Sequence, residues 1–115
     1  MMQILQGIVI LFLDDTYDIE DLTQVMALVN SEEIKSSEYV IIDGEKFTNV
    51  NVIGAEIFLI REKMKNQSKD GLIFCNLNES SKWLFNQLSR ENGFGEILHF
   101  INLKDAINYI KEVKT

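Results

Sequence analysis

Residues 40–59, "VIIDGEKFTNVNVIGAEIFL", predict a strand that passes through a polar turn into a helix. The apolar residues before Asp43 are typical of a buried strand, and Gly44 indicates an irregularity before residues 46–50 extend it. Asn51 suits the cap of the helix, because its side-chain oxygen can accept a backbone N–H. The expected core face of this helix, at helical spacing, is formed by Ile53, Ile57, Ile60 and Met64.

Strand and helix signals alternate along the rest of the chain. Strands are predicted at residues 2–5, 8–13, 38–43, 71–75 and 97–101. Helices are predicted to begin after the capping residues Asp18, Asn51, Asn78 and Asn102. The order is ββαβαβαβα, and strands separated by helices pair in parallel through right-handed crossovers. We therefore expect a single α/β layered domain over residues 1–115.

The charge distribution bears on the class of partner. The net charge is −7, and residues 1–34 contain seven acidic residues and no Lys or Arg. Nucleic acid is excluded as an expected partner, because a polyanion needs a basic footprint. We expect neither membrane insertion nor a secretory signal, because the longest apolar run spans only residues 7–13 and the first Lys is at position 35. The single cysteine fits a reducing compartment, so a cytoplasmic protein is expected.

The carboxyl ends of the parallel strands are expected to share one edge of the sheet, where α/β domains carry their sites. The loops at residues 14–18, 49–53 and 75–78 meet there. The residues that we expect to contact a partner at this edge are Asp14, Asp15, Asn49, Asn51, Val52, Ile53, Gly54, Asn76 and Asn78.

No combination of residues predicts catalysis. His99 is the one histidine and Cys75 ends a buried strand, so structural roles are expected for both. We expect neither enzymatic activity nor a cofactor or metal site. Trp83 is expected to pack in the core, with an exposed partner anchor as the alternative, and Arg61 is expected on an outer helix face.

A response-regulator receiver is one alternative, because such domains bind Mg²⁺ through an acid pair and a phospho-accepting aspartate. Asp14, Asp15 and Asp43 would take those roles here. The spacing argues against it, since the 28 positions from Asp15 to Asp43 hold one predicted helix where a receiver needs a further strand and helix.

Residues 40–59 resemble the phosphorylation motif of STAS domains, the fold of bacterial anti-sigma factor antagonists. Asp43 matches the acid that ends the strand, Asn51 stands at the family's aspartate, Val52 at its phosphorylated serine, Ile53 at the next small residue and Gly54 at its glycine. Residues 70–110 also follow the family's order of strand, helix, turn, short strand and closing helix. The resemblance covers nearly the whole chain and implies a STAS-like mixed sheet of about five strands with about four helices.

In that family the unmodified antagonist binds an anti-sigma serine kinase, and phosphorylation of the serine releases it. Val52 has no hydroxyl, so it is a non-functional phospho-acceptor position and implies a permanent contact surface. The implied partners are an anti-sigma factor kinase or other STAS proteins. Whether the chain forms a homodimer is left open by the resemblance. The alternative within the family is a STAS subunit of a lipid-trafficking ABC transporter.

Overall fold

The computed structural model describes residues 2–5, 7–14, 27, 29–46, 58–65 and 70–114. The strands are β1 (Met2–Leu5), β2 (Ile8–Asp14), β3 (Tyr39–Lys46), β4 (Leu72–Cys75) and β5 (Leu98–Phe100). The helices whose bounds lie within these residues are α1 (Glu32–Lys35), α2 (Leu59–Lys63), α3 (Glu79–Glu91) and α4 (Leu103–Lys114). The predicted α/β class is confirmed, and the strands begin and end within three residues of their predicted positions.

The five strands form one mixed sheet in the order β1-β2-β3-β4-β5. β1 is antiparallel to β2, and each later strand is parallel to the one before it. This arrangement is compatible with a STAS-like fold. Because β2 to β5 all run in the same direction, their carboxyl ends lie along one edge, named here the carboxyl edge.

β3 is the central strand, and its residues from Tyr39 to Gly44 are all buried. Alternate side chains of a strand point to opposite faces, so β3 contributes to two separate apolar clusters. The cluster on one face combines the sheet with residues of α1, α2 and α3, namely Ile34, Ile60 and Phe85. The cluster on the other face combines it with residues of α4, namely Ala106 and Ile110. The fold therefore has three layers, with the sheet in the middle.

The irregularity predicted at Gly44 is confirmed. β3 advances three residues, from Asp43 to Lys46, while β2 advances two, from Phe12 to Asp14. β3 therefore carries one extra residue, as in a β-bulge, and continues to Lys46. The backbone N–H of Glu45 donates to the side-chain Oδ1 of Asp43 at 3.0 Å, which stabilises this local geometry.

Two of the predicted helix caps are also confirmed. The Oδ1 of Asn78 accepts the backbone N–H of Ser81 at 2.8 Å, and the Oδ1 of Asn102 accepts the N–H of Asp105 at 2.8 Å. Each bond gives an acceptor to a backbone N–H of the first helical turn, which has no acceptor within the helix itself. α3 ends where it was predicted to end, before Gly93, whose φ of 80° suits a residue without a Cβ.

Two predictions about side-chain burial are wrong. Trp83 is 67% exposed, because the buried face of α3 is centred on Phe85 instead. Arg61 is only 8% exposed, and its guanidinium carbon lies 4.3 Å from the centre of the Phe94 ring. The contact of the cation with the aromatic face offsets part of the cost of burying the guanidinium.

One helix was not predicted, and two predicted helix starts lie outside the described residues. The short helix α1 is capped by Ser31, whose Oγ accepts the N–H of Ile34 at 3.4 Å. The predicted helix after Asp18 lies outside the described residues except at Ala27 and Val29, which are helical. The predicted start of the second helix at Asn51 also lies outside them.

Candidate functional site

The structure describes three of the nine predicted contact residues, all at the carboxyl edge. Asp14 is the last residue of β2 and lies in register with Lys46 of β3. Asn76 and Asn78 lie in the loop between β4 and α3, named here the β4–α3 loop. The other six predicted contact residues fall outside the described residues; they are Asp15, Asn49, Asn51, Val52, Ile53 and Gly54.

Asp43, near the end of β3, forms the centre of a hydrogen-bond network at this edge. Its side chain is 4% exposed. Its Oδ1 accepts the Glu45 backbone N–H at 3.0 Å and the Asn76 side-chain Nδ2 at 3.2 Å. A buried carboxylate is costly unless it is hydrogen-bonded, and these donors offset that cost. Asp43 thereby connects the bulge of β3 to the β4–α3 loop.

Asn76 joins three strands. Its side chain donates to Asp43 on β3, and its backbone N–H donates to the carbonyl oxygen of Phe100 on β5 at 3.3 Å. It directly follows Cys75, the last residue of β4. Its φ is 59°, in the left-handed region that Asn tolerates better than most residues. Asn76 therefore acts as a clamp across the ends of β3, β4 and β5.

Cys75 is fully buried and lies in register with Asp43 on the neighbouring strand. The pKa of its thiol is raised to about 12, chiefly by burial and then by the negative charge of Asp43, a hydrogen bond with that carboxylate and the charge of Glu45. The thiolate is the nucleophilic form of cysteine, so this side chain is kept in its unreactive form. The expected structural role is consistent with these contacts.

His99 holds the β4–α3 loop from the other side. Its Nε2 accepts the backbone N–H of Leu77 at 3.2 Å, so the ring proton of the neutral imidazole is assigned to Nδ1. Burial and the nearby Lys82 ammonium lower the pKa of His99, while Glu79 opposes the decrease. The two bonded residues are 22 positions apart, and no local sequence pattern marks their contact.

Leu77 also packs closely against β3. A Cβ added to Gly44 would lie 2.6 Å from the Cδ2 of Leu77, closer than such atoms can approach. The absence of a side chain at Gly44 therefore allows the loop to contact the bulge. The sequence indicated the irregularity at Gly44 but not its packing partner.

Two large apolar side chains, Ile101 after β5 and Trp83 on α3, are exposed. Ile101 directly follows β5 and is 80% exposed. It is adjacent to Phe100, which accepts the hydrogen bond from Asn76. Trp83, on the second turn of α3, is also exposed. An exposed apolar side chain next to hydrogen-bonding groups, as at Ile101, is typical of protein interfaces.

The opposite edge of the sheet carries a depression of about 290 Å³, lined by Asp70, Phe94, Gly95, Glu96, Ile97 and Leu98. Its charged wall is held by an internal ion pair, in which Arg90 Nη2 lies 2.7 Å from the Oε1 of Glu96. Over the described ranges, no three or more His, Cys, Asp or Glu side chains are grouped so that they could hold a metal ion. No helix within the described part of the chain has the length and apolar character needed to cross a membrane.

Comparison with known proteins gives no match, either to a family model, to a curated protein or to a solved structure. The α/β architecture therefore stands on the structure itself, and membership of the STAS family stays a prediction from the sequence.

Proposed function

We propose that this chain is a non-catalytic regulatory module that binds another protein through its carboxyl edge, in the manner of an anti-sigma factor antagonist. The observation that carries the proposal is the hydrogen bonding of Asp43. This residue matches the acid of the resembled motif, and its Oδ1 is occupied by the Glu45 N–H and the Asn76 amide. A carboxylate used in this way fixes the shape of a surface.

The composition of the edge gives further support. The β4–α3 loop is tied to β3 through Asp43 and Gly44, and to β5 through His99. A preformed surface loses little conformational entropy when a partner binds. The exposed Ile101 beside it offers an apolar contact of the kind that partners bury.

Val52 defines how such a module would be regulated. It stands at the position of the family's phosphorylated serine and has no hydroxyl, so a kinase cannot add phosphate there. Binding at this edge would then be constitutive. The proposed partner is an anti-sigma serine kinase or another STAS protein, and the proposed location is the cytoplasm.

The geometry of Asp43 argues against the receiver alternative. Its side chain is 4% exposed and its Oδ1 already accepts two N–H donors. The residue in register with it on β2 is Phe12, where a receiver would gather acids around Mg²⁺. A change in amide chemical shifts that requires both beryllofluoride and Mg²⁺ would favour the receiver over the binding module.

The proposal is tested by affinity capture from native lysate with matched variants. Val52→Glu places a negative charge where the family places phosphate, and Val113→Glu makes the same change at an exposed residue near the far end of α4. We expect the unmodified chain and Val113→Glu to capture an anti-sigma kinase or a STAS protein. We expect Val52→Glu to bind it at least about tenfold more weakly, equivalent to about 1.4 kcal/mol.

Equal capture by Val52→Glu, or recovery of neither class of partner, would overturn the proposal. Recovery of a transporter ATPase in their place would instead support the ABC transporter alternative.

A further inference from the structure

His99 occupies a specific place on the last strand of the sheet. The residues on either side of it, Leu98 and Phe100, pack into the cluster covered by α4. Because side chains alternate along a strand, His99 points to the opposite face, where α3 and the β4–α3 loop lie. There it accepts the backbone N–H of Leu77 at 3.2 Å.

This hydrogen bond exists only when the imidazole is neutral. A neutral ring with its proton on Nδ1 has a lone pair at Nε2, which the N–H of Leu77 uses. A protonated ring carries N–H groups at both nitrogens. Nε2 would then present a donor to the Leu77 donor, so the bond would be lost and the two N–H groups would repel each other.

The charged groups that face His99 come from α3. Within the part of the chain that the structure describes they are Lys82, which disfavours the imidazolium, and Glu79, which favours it. Burial acts in the same direction as Lys82 and lowers the pKa of His99 from its ordinary value of 6.5. The fold thus favours the neutral ring, and with it the bond to Leu77.

Release of Leu77 would reach beyond the loop. The Leu77 side chain packs against Gly44 in the bulge of β3, at the distance that only glycine allows. The preceding residue, Asn76, donates to Asp43 and to the Phe100 carbonyl. A movement of Leu77 therefore alters contacts on both neighbouring strands.

We propose that His99 is a proton-sensitive latch: in its neutral form it holds the β4–α3 loop against β3, and its protonation releases Leu77 and loosens the carboxyl edge. The latch is closed at neutral pH. It opens as the pH falls below the ordinary histidine range, because the imidazolium is the form that cannot accept the Leu77 N–H. This device belongs to the free chain and goes beyond the proposed function. Weaker partner binding in acid would follow from the latch only if the proposed function also holds.

The test is an NMR titration of the free chain from about pH 7.5 to about pH 4.5, the interval that contains the histidine range. The His99 ring protons and the amides of Leu77, Asn76 and Gly44 should change together, with one shared midpoint below 6.5. The matched variant His99→Gln keeps a side-chain acceptor and does not titrate. In this variant we expect complete loss of the shared transition.

Two charge variants on α3 give a second, independent readout. Lys82→Gln should move the shared midpoint to higher pH, and Glu79→Gln should move it to lower pH, because these side chains have opposite effects on His99. A transition of a group far from α3 would respond to neither variant.

The latch is overturned if the Leu77 amide does not follow the His99 ring, or if the transition persists in His99→Gln. If that variant does not fold, an unchanged midpoint in both α3 variants overturns it equally well. No partner is present in any of these measurements, so their outcome is separate from that of the capture experiment.

Discussion

The side chains of Asp43 and Asn76, 33 positions apart in the sequence, are joined by a 3.2 Å hydrogen bond across the ends of β3 and β4. Burial of the Asp43 carboxylate costs free energy, and so does the left-handed φ of Asn76. Their bond offsets that cost on both sides. It also decides the shape of the loop in which two of the predicted contact residues lie.

Asn76→Ala should therefore destabilise the fold. The variant leaves a buried carboxylate with one donor fewer and forces a Cβ-bearing residue without a polar side chain into the left-handed region. We expect a loss of about 2–3 kcal/mol, measured by urea denaturation. Asn76→Gly should lose roughly 1 kcal/mol less, because glycine adopts this φ without strain.

Asn108→Ala serves as the matched control, because Asn108 is an exposed residue of α4. The Asn108→Ala substitution should change the free energy of unfolding of the chain by no more than about 0.5 kcal/mol. Similar losses at positions 76 and 108 would show that the bond to Asp43 contributes nothing specific.

Gly44→Ala should cost about 1 kcal/mol or more, because the added Cβ would meet the Leu77 Cδ2 at 2.6 Å and displace it. The atom that must move is the end of a flexible side chain, so the fold should survive. In the double variant Gly44→Ala with Leu77→Ala the clash is absent, and the two losses should not add. A double-mutant cycle by chemical denaturation measures this coupling, and strict additivity would contradict the contact.

Because the fold raises the pKa of Cys75, we expect the free energy of unfolding to depend on pH in the alkaline range. Its thiol has an ordinary pKa of 9.0, which the fold raises to about 12. Between these values the unfolded chain loses the thiol proton and the folded chain keeps it, so the free energy of unfolding falls as pH rises. Below the ordinary value the contribution of the neutral thiol is fully present.

The measurement is urea denaturation at several alkaline pH values, with Cys75→Ala as the control that removes this one ionisation. The slope against pH should be smaller in Cys75→Ala than in the unmodified chain. The same burial predicts that a thiol reagent reacts with Cys75 far more slowly in the folded chain than in denaturant. Equal rates in the two states would contradict the buried position.

Truncation of Trp83 and truncation of Phe85, two positions apart on α3, should change the stability of the fold by very different amounts. Phe85→Ala removes a fully buried ring that contacts Phe58 and Phe74, and should cost about 3–5 kcal/mol. Trp83→Ala removes an exposed side chain and should change stability by no more than about 0.5 kcal/mol. Thermal denaturation distinguishes the two, and a large loss for Trp83→Ala would place its ring in the core.

Much of the fold follows from local sequence signals. The caps at Asn78 and Asn102 and the irregularity at Gly44 were predicted because each depends on the chemistry of one residue and its near neighbours. The parallel pairing of β2 to β5 was predicted because buried strands separated by helices have few ways to pair.

The errors have a different origin. The adjacent apolar residues Trp83, Leu84 and Phe85 do not by themselves fix which side of α3 faces the core, and packing decided in favour of Phe85. The burial of Arg61 depends on the Phe94 ring, which is distant in the sequence. The bonds of Asp43 with Asn76 and of His99 with Leu77 also join distant residues, so the details of the candidate site could not be predicted.

The order of strands in the sheet has a consequence for how the chain is made. β1 to β5 lie side by side in the order in which a ribosome synthesises them, so each new strand can add to a neighbour that has already emerged. Until residues 72–75 leave the ribosome, the apolar strand β3 is the unpaired edge strand of the forming sheet. Once β4 has been synthesised and has paired with β3, the free edge of β3 is covered and can no longer pair with another chain.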